Sequence, residues 1–295
     1  MPHVSAQDGT KLYYEETGSG IPIIFVHEFA GDHRTYETQV RHFSRQYRCI
    51  TFNARGYPPS DVPPSFESYS QDNARDDIRA VLDGLKIEKA HVVGISMGGF
   101  AALHFAMQYP ERTLSSSVCG CGYGAQPDKR GQFQAEVEAT AKSMLEKGMK
   151  VVAETYAISA TRVQLQNKDP RGFLEFKQQL SEHSDLGSSN TMRGYQARRP
   201  SLYELTERMA KISVPVLIAT GDEDEPCLDP ALLMKRTIPT ASLVVFPSTG
   251  HALNLEEPDL FNATLARFFH LVESGRWTPR DPRSKVQSIL GEAKK

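Results

Sequence analysis

A serine with glycines two positions away on either side, Gly94-Ile95-Ser96-Met97-Gly98, stands between an apolar β-branched run and a small-residue run with helical spacing. This G-x-S-x-G pattern at a strand-to-helix junction has the form of a nucleophile elbow. Sterics explain the spacing. So sharp a turn strains the backbone of the serine, and a Cβ at Gly94 or Gly98 would collide with the neighbouring strand or helix. The hydroxyl is then presented above the sheet, beside a helix N-terminus that favours developing negative charge. The pattern alone also fits a glycine-rich turn whose serine merely caps the helix. A nucleophilic serine needs a base, an acid to orient it and donors for an oxyanion. Two later stretches offer the first pair. Gly221-Asp222-Glu223-Asp224-Glu225-Pro226 is a turn crowded with carboxylates, and Pro247-Ser248-Thr249-Gly250-His251 sets a histidine just past an apolar run. Serine, then acid, then histidine is a chain order distinct from those of the two serine-protease types.

Stepping from residues to elements, Asp8-Gly9 marks a hairpin turn between short strands at 3–7 and 11–17. Buried strands are expected at 22–27, 49–53, 91–95 and 114–121, and again at 214–220 and 243–246. Helical spacing fills 31–45 and 69–85, the stretch after Ser96, and then 230–237 and 258–272. Strands alternating with helices predict a mostly parallel, doubly wound sheet of eight strands, with helices on both faces. Such sheets bind ligands at the carboxyl ends of their strands, where Ser96 emerges.

The texture changes between the sixth and seventh strands. Core residues 1–122 give way to a helical, polar stretch, 123–213, before the β/α rhythm resumes over 214–274. Helices are expected there at 130–147 and 149–159, followed by polar stretches at 181–190 and 193–200. The insertion is expected to act as a cap that sets substrate choice, with Tyr123, Phe133, Tyr156, Phe173 and Tyr195 as its aromatic surface. Residues 275–295 form a Pro- and charge-rich tail with a short helical pattern at its end.

Composition narrows the function classes. The chain has 295 residues, 39% of them hydrophobic and 24% charged, which suits a large globular domain. With 36 acidic against 34 basic residues the net charge is −2, so no polyanion-binding surface is expected. No apolar run approaches the roughly 18 residues of a membrane span, and no signal peptide is visible. Cys49, Cys119, Cys121 and Cys227 are scattered, and Cys119-Gly120-Cys121 is too close for an unstrained bridge. All four are expected as reduced thiols of a cytoplasmic protein, with no metal site and no cofactor.

Taken together, the elbow, the G-x-x-D turn and the S-x-G-H-x-x-x-x-E-x-P segment resemble the α/β-hydrolase superfamily, in its capped esterase, enol-lactonase and C–C hydrolase branch. The resemblance spans residues 3 to 272 and implies an α/β-hydrolase fold with a helical cap after the sixth strand. It selects Asp224, three positions after the glycine, as the acid beside Ser96 and His251. It also implies oxyanion donors from the backbone N–H groups of Phe29 and Met97. Family members carry His-Gly-x-x-Gly after the third strand; here the loop reads His27-Glu28-Phe29-Ala30-Gly31, with Glu28 in place of glycine. Either Glu28 points to solvent or caps a helix, or it lines the pocket and pairs with an arginine or tunes His251. His27 and Tyr123 are further pocket candidates. Arg55-Gly56 with Ser60-Asp61 resembles a family loop and is expected to be scaffold, while Arg193, Arg198 and Arg199 are expected on a solvated face.

The implied chemistry is cleavage of a small carboxylic ester or lactone through an acyl-enzyme. A serine at position 96 argues against the epoxide hydrolase and haloalkane dehalogenase branches, which need a carboxylate nucleophile. C–C or amide hydrolysis by the same triad is the enzymatic alternative, and a non-catalytic ligand-binding homologue is the alternative from another class. The expected partner is a small-molecule substrate, with no nucleic acid and no membrane, in a monomer or homodimer.

Overall fold

The computed structural model describes residues 1–284, so the helix expected at the end of the tail lies outside the described residues. Two short strands open the chain, β1 (His3–Ser5) and β2 (Lys11–Thr17), followed by the buried β3 (Ile21–Val26). A 3-10 turn capped by Asp32 leads into α1 (Glu37–Phe43), then β4 (Tyr47–Phe52) and α2 (Gln71–Gly84). The fully buried β5 (Ala90–Ile95) runs into α3 (Met97–Gln108), and β6 (Thr113–Cys119) follows. β6 ends earlier than its apolar run predicts, because Gly120 turns the chain at φ 52°.

Helices fill the segment between the sixth and seventh strands: α4 (Arg130–Lys147), α5 (Met149–Tyr156), α6 (Val163–Lys168), α7 (Pro170–Ser181), α8 (Asp185–Asn190) and α9 (Thr206–Met209). A π-helical turn, Thr191–Gln196, continues from α8. The sheet resumes with β7 (Val216–Gly221), α10 (Glu225–Thr237) and β8 (Ala241–Phe246), and the chain closes with α11 (Leu253–Glu256) and α12 (Pro258–Glu273). α10 begins five residues before its expected start. Pro226 occupies its first turn, where a missing N–H costs nothing, and Pro230 is tolerated inside it.

The eight strands lie in the order β1-β2-β4-β3-β5-β6-β7-β8. The pairs β1–β2 and β2–β4 are antiparallel, and every pair from β4–β3 onward is parallel. α2 and α3 cover one face through Ile78, Val81, Leu82 and Phe105, while α1 and α12 cover the other through Phe43, Phe261, Phe268 and Phe269. Each such fully buried large side chain contributes about 1.5–3 kcal/mol. β5 therefore lies in the interior of the sheet, and both it and α3 are buried on either side of their junction.

The insertion is fastened by its own apolar stripe. Asp169 caps α7 by accepting from the Gly172 N–H, and Phe173, Phe176 and Leu180 recur at helical spacing on its buried side. These join Phe133, Val137 and Met144 of α4 in a cluster that also takes in Phe29, Tyr57, Met97 and Ala252 of the core. Half of the residues in the stretches expected as polar and irregular, 181–190 and 193–200, are buried. Ser188, Ser189, Asn190 and Thr191 are small and packed close to the core, where a Cβ on Gly187 would meet Gly56 O at 1.9 Å.

Among the described residues no helix is long and apolar enough to cross a membrane. All four cysteines are buried and free.

Candidate active site

At the β5–α3 junction Ser96 has φ 54° and ψ −115°, in the left-handed half of backbone space that a non-glycine residue rarely occupies. The flanking glycines permit it: a Cβ on Gly94 would stand 2.0 Å from Gly98 O, and one on Gly98 would stand 2.0 Å from Val26 O. The Ser96 N–H donates to Cys119 O at 2.8 Å, and the residue lines a cavity of about 390 Å³ between sheet and insertion.

Asp224 and His251 line the same cavity. Of the four carboxylates in its turn Asp224 alone is buried, while Asp222, Glu223 and Glu225 are exposed. His251 Nδ1 donates to Asp224 Oδ2 at 2.7 Å. Burial opposes charge on both groups, but their attraction outweighs it, holding Asp224 below its usual range and His251 above. The histidine loop is tied down by Glu256, which accepts from the N–H groups of Gly250 at 2.6 Å and Ala252 at 3.0 Å. Among the described residues the Ser96 hydroxyl makes no hydrogen bond to protein, a contact that in unliganded sites often tightens only with substrate.

Opposite the elbow, the loop after β3 is held from below. His27 Nδ1 donates to Glu28 O at 2.7 Å, and its Nε2 accepts from the Ala54 N–H at 3.0 Å. Tyr57 donates its hydroxyl to Phe29 O at 2.9 Å, and Tyr195 donates to Met97 O at 2.7 Å. The Phe29 and Met97 N–H groups have no protein acceptor among the described residues.

Cys227 also sits beside the acid, and one ligand atom each from Asp224, Cys227 and His251 lie within 4.8 Å of one another. Burial, followed by the charge of Asp224, holds the Cys227 thiol well above its ordinary range. It stays protonated, which suits a neighbour of the acid better than a metal ligand.

Residues 21–258 match the family model described as alpha/beta hydrolase fold. The chain belongs to the α/β-hydrolase family. Over 265 residues it is 29% identical to the 2-hydroxy-6-oxononadienedioate/2-hydroxy-6-oxononatrienedioate hydrolase of Comamonas testosteroni, which spans 85% of this chain and 88% of that protein. It is 27% identical over 256 residues to 3-oxoadipate enol-lactonase 1 of Acinetobacter baylyi, with 85% of this chain and 89% of that protein covered. In fold it resembles the crystal structure of the enol-lactonase from Burkholderia xenovorans, with a TM-score of 0.79 at 20% identity over 91% of this chain and 100% of that one.

In this α/β hydrolase the Glu28 side chain does not point to solvent. It is buried, and Arg162 of the insertion clasps it with both terminal nitrogens, Nη1 donating to Oε1 at 2.8 Å. Burial raises the Glu28 carboxyl, but the charge and hydrogen bonds of Arg162 bring it below its usual range. Glu28 Oε2 lies 4.0 Å from His251 Nε2. Neither Glu28 nor His27 lines the cavity; they sit beneath its wall, whereas Tyr123, Phe133 and Tyr156 line it and Phe173 and Tyr195 do not.

Three expectations for arginines resolve differently. Arg55 is scaffold, forked onto Asp77 at 2.7 and 2.8 Å. Arg193 is at the surface, paired with Glu138 at 2.7 Å. Arg199 is not on a solvated face: it is buried in the cavity wall. The sequence carries no signal for Arg162 or Thr161, whose carbonyl accepts from the His251 N–H at 2.9 Å. Glu256 did carry one, as the glutamate of the S-x-G-H-x-x-x-x-E-x-P segment.

Proposed function

We propose that this α/β hydrolase cleaves a small carboxylic ester or lactone through an acyl-enzyme on Ser96. The observation that carries the reading is one cavity lined by a serine on a strained strand–helix turn and by a buried His251–Asp224 pair at 2.7 Å. In this reading His251 Nε2 takes the Ser96 proton as the oxygen attacks the carbonyl carbon, and Asp224 stabilises the imidazolium. The Phe29 and Met97 N–H groups donate to the oxyanion, at the N-terminus of α3 where the helix dipole adds to them. His251 then protonates the leaving alkoxide and activates a water, which releases the acid and restores Ser96.

Turnover of p-nitrophenyl acetate and butyrate tests the proposal. Ser96→Ala is expected to lower kcat by about a thousandfold or more, as loss of a triad nucleophile does. A fluorophosphonate probe is expected to label the wild type at Ser96 only. Undiminished turnover in Ser96→Ala overturns the mechanism. The same triad serves C–C hydrolysis, and the Comamonas relative supports that second reading. A chromophoric vinylogous 1,5-diketone consumed faster than any ester or lactone would favour it.

A further inference from the structure

The backbone N–H groups of Gly250, His251 and Ala252 are not all held by the same part of the molecule. Gly250 and Ala252 donate to Glu256 of the core at 2.6 and 3.0 Å, while His251 between them donates to Thr161 O of the insertion at 2.9 Å. Gly250 leaves room for that carbonyl, since a Cβ there would stand 2.4 Å from Thr161 O. Thr161 belongs to a 3-10 turn, Ala160–Arg162, that runs directly into α6. Its neighbour Arg162 forks onto Glu28, in the loop that carries Phe29. Gln164 Nε2 donates to Glu223 Oε2 at 2.7 Å, next to Asp224 in the acidic turn. Lys168, at the end of α6, donates to Glu257 Oε1 and to Thr249 Oγ1 at 3.5 Å, on either side of His251 in the chain. The segment 160–168 of the insertion thus touches all three loops of the proposed active site.

These contacts converge on one atom. Base catalysis needs His251 Nε2 to face Ser96, and a misplacement of about 1 Å can cost about a hundredfold in rate. Asp224 turns the ring through Nδ1, which leaves its placement to the backbone that carries it. Nε2 also has a second acceptor within reach: Glu28 Oε2, a buried carboxylate oxygen, lies 4.0 Å away. Arg162 Nη2 donates to that same oxygen. The charged groups acting on the imidazole are therefore two acids, Asp224 and Glu28, and the cation Arg162 that offsets the second. Without Arg162, Glu28 would be free to accept from Nε2 and to hold the base in its protonated, inactive form.

We propose that residues 160–168 are a strap that positions His251: Thr161 fixes its backbone and Arg162 withholds Glu28 from its Nε2, so that turnover requires the insertion to stay fastened to the core. The inference rests on the reading of His251 as the base. It makes Thr161 and Arg162 positioning residues and leaves the bond-breaking steps to Ser96 and His251.

The pH dependence of kcat/KM for p-nitrophenyl butyrate tests the part given to Arg162. Arg162→Met is expected to move the acid limb up by about half a pH unit or more, and Glu28→Gln/Arg162→Met to bring it back toward wild type. A purely structural loss would lower activity in both without moving the limb. An acid limb unmoved in Arg162→Met, or moved up equally in both variants, overturns the proposal. Gly250→Ala tests the part given to Thr161 and leaves the buried ion pair intact, so it decides the matter should Arg162→Met fail to fold. It is expected to lower kcat by about tenfold or more with KM within about threefold, and to quicken hydrogen exchange of the His251 amide by about tenfold while the β5 amides keep their protection. A wild-type kcat in Gly250→Ala, or a lowered kcat with exchange at His251 unchanged, overturns it. If wild type turns over no ester, it is the reading of His251 as the base that fails, and the strap is then read from the imidazole itself. Its pKa, followed by NMR, must rise in Arg162→Met and fall back in the double variant, and an unmoved pKa overturns the proposal.

Discussion

Arg162 and Arg199 sit in one cavity wall, both buried and both contributed by the insertion, yet they meet opposite surroundings. Arg162 reaches across to Glu28 in the loop after β3 and also lies 5.0 Å over the Phe176 ring. Its charge is satisfied within the protein, and the pair fastens the insertion to the loop that carries Phe29. Arg199 rests on Phe100 and donates to a single carbonyl, with no acid paired to it among the described residues. The comparison separates two uses of a buried charge. One has its partner folded in and fastens the insertion to the core; the other is packed against aromatic rings with two of its nitrogens buried and unpartnered.

The comparison is broken or sharpened by the following substitutions. Removing Arg162 strands Glu28 as a lone buried carboxylate, so Arg162→Met is expected to lower unfolding stability by about 3–5 kcal/mol. The double variant Glu28→Gln/Arg162→Met, which strands no charge, should recover most of that loss in urea denaturation. Arg199→Met strands no charge and frees only the Tyr123 carbonyl, so its stability should lie within about 1 kcal/mol of wild type despite equal burial. Equal losses from the two arginines would erase the distinction. Smallest of all, Arg193→Ala breaks a half-exposed pair with Glu138 and should cost less than about 1 kcal/mol by the same measurement.

Glu28 also bears on the pH dependence of the proposed reaction. The base must be neutral, so kcat/KM should rise with pH through the pKa of His251. Burial lowers that pKa, Asp224 raises it more, and Arg162 and Glu28 act in opposite directions, leaving it above 6.5. Glu28→Gln removes the anion and leaves the cation, so protonated His251 is disfavoured and the acid limb should move to lower pH. In the double variant with Arg162→Met the movement should be smaller. An acid limb unchanged by Glu28→Gln would show that the carboxylate serves only to hold Arg162.

Legibility differed between core and insertion. Strands β3, β5 and β7 showed as largely apolar runs because the sheet is covered on both faces, and α2 and α12 showed as one-sided stripes. In the insertion, the polarity of residues 181–200 was misleading. Asn190 donates to the carbonyls of Pro63 and Pro64 at 3.2 Å, and Thr191 donates to Gly187 O at 2.8 Å. Small polar side chains satisfied by nearby backbone can be buried as readily as apolar ones, and composition does not reveal which carbonyls will be near. The same holds for Arg162 and Arg199, which as letters in a polar helical stretch do not differ from the partly exposed Arg193.

By itself the sequence determined the elbow, because a sharp strand–helix turn is a local matter of which positions can lack a Cβ. It determined the order of Ser96, the acidic turn and His251, and the alternation that brings strand ends to one edge of a sheet. Tertiary structure alone decided what the insertion presents to that edge. Glu28 finds Arg162 across 134 positions of chain, while Arg199 finds no acid among the described residues. Whether a buried charge is paired depends on contacts between distant segments, and no local pattern records them.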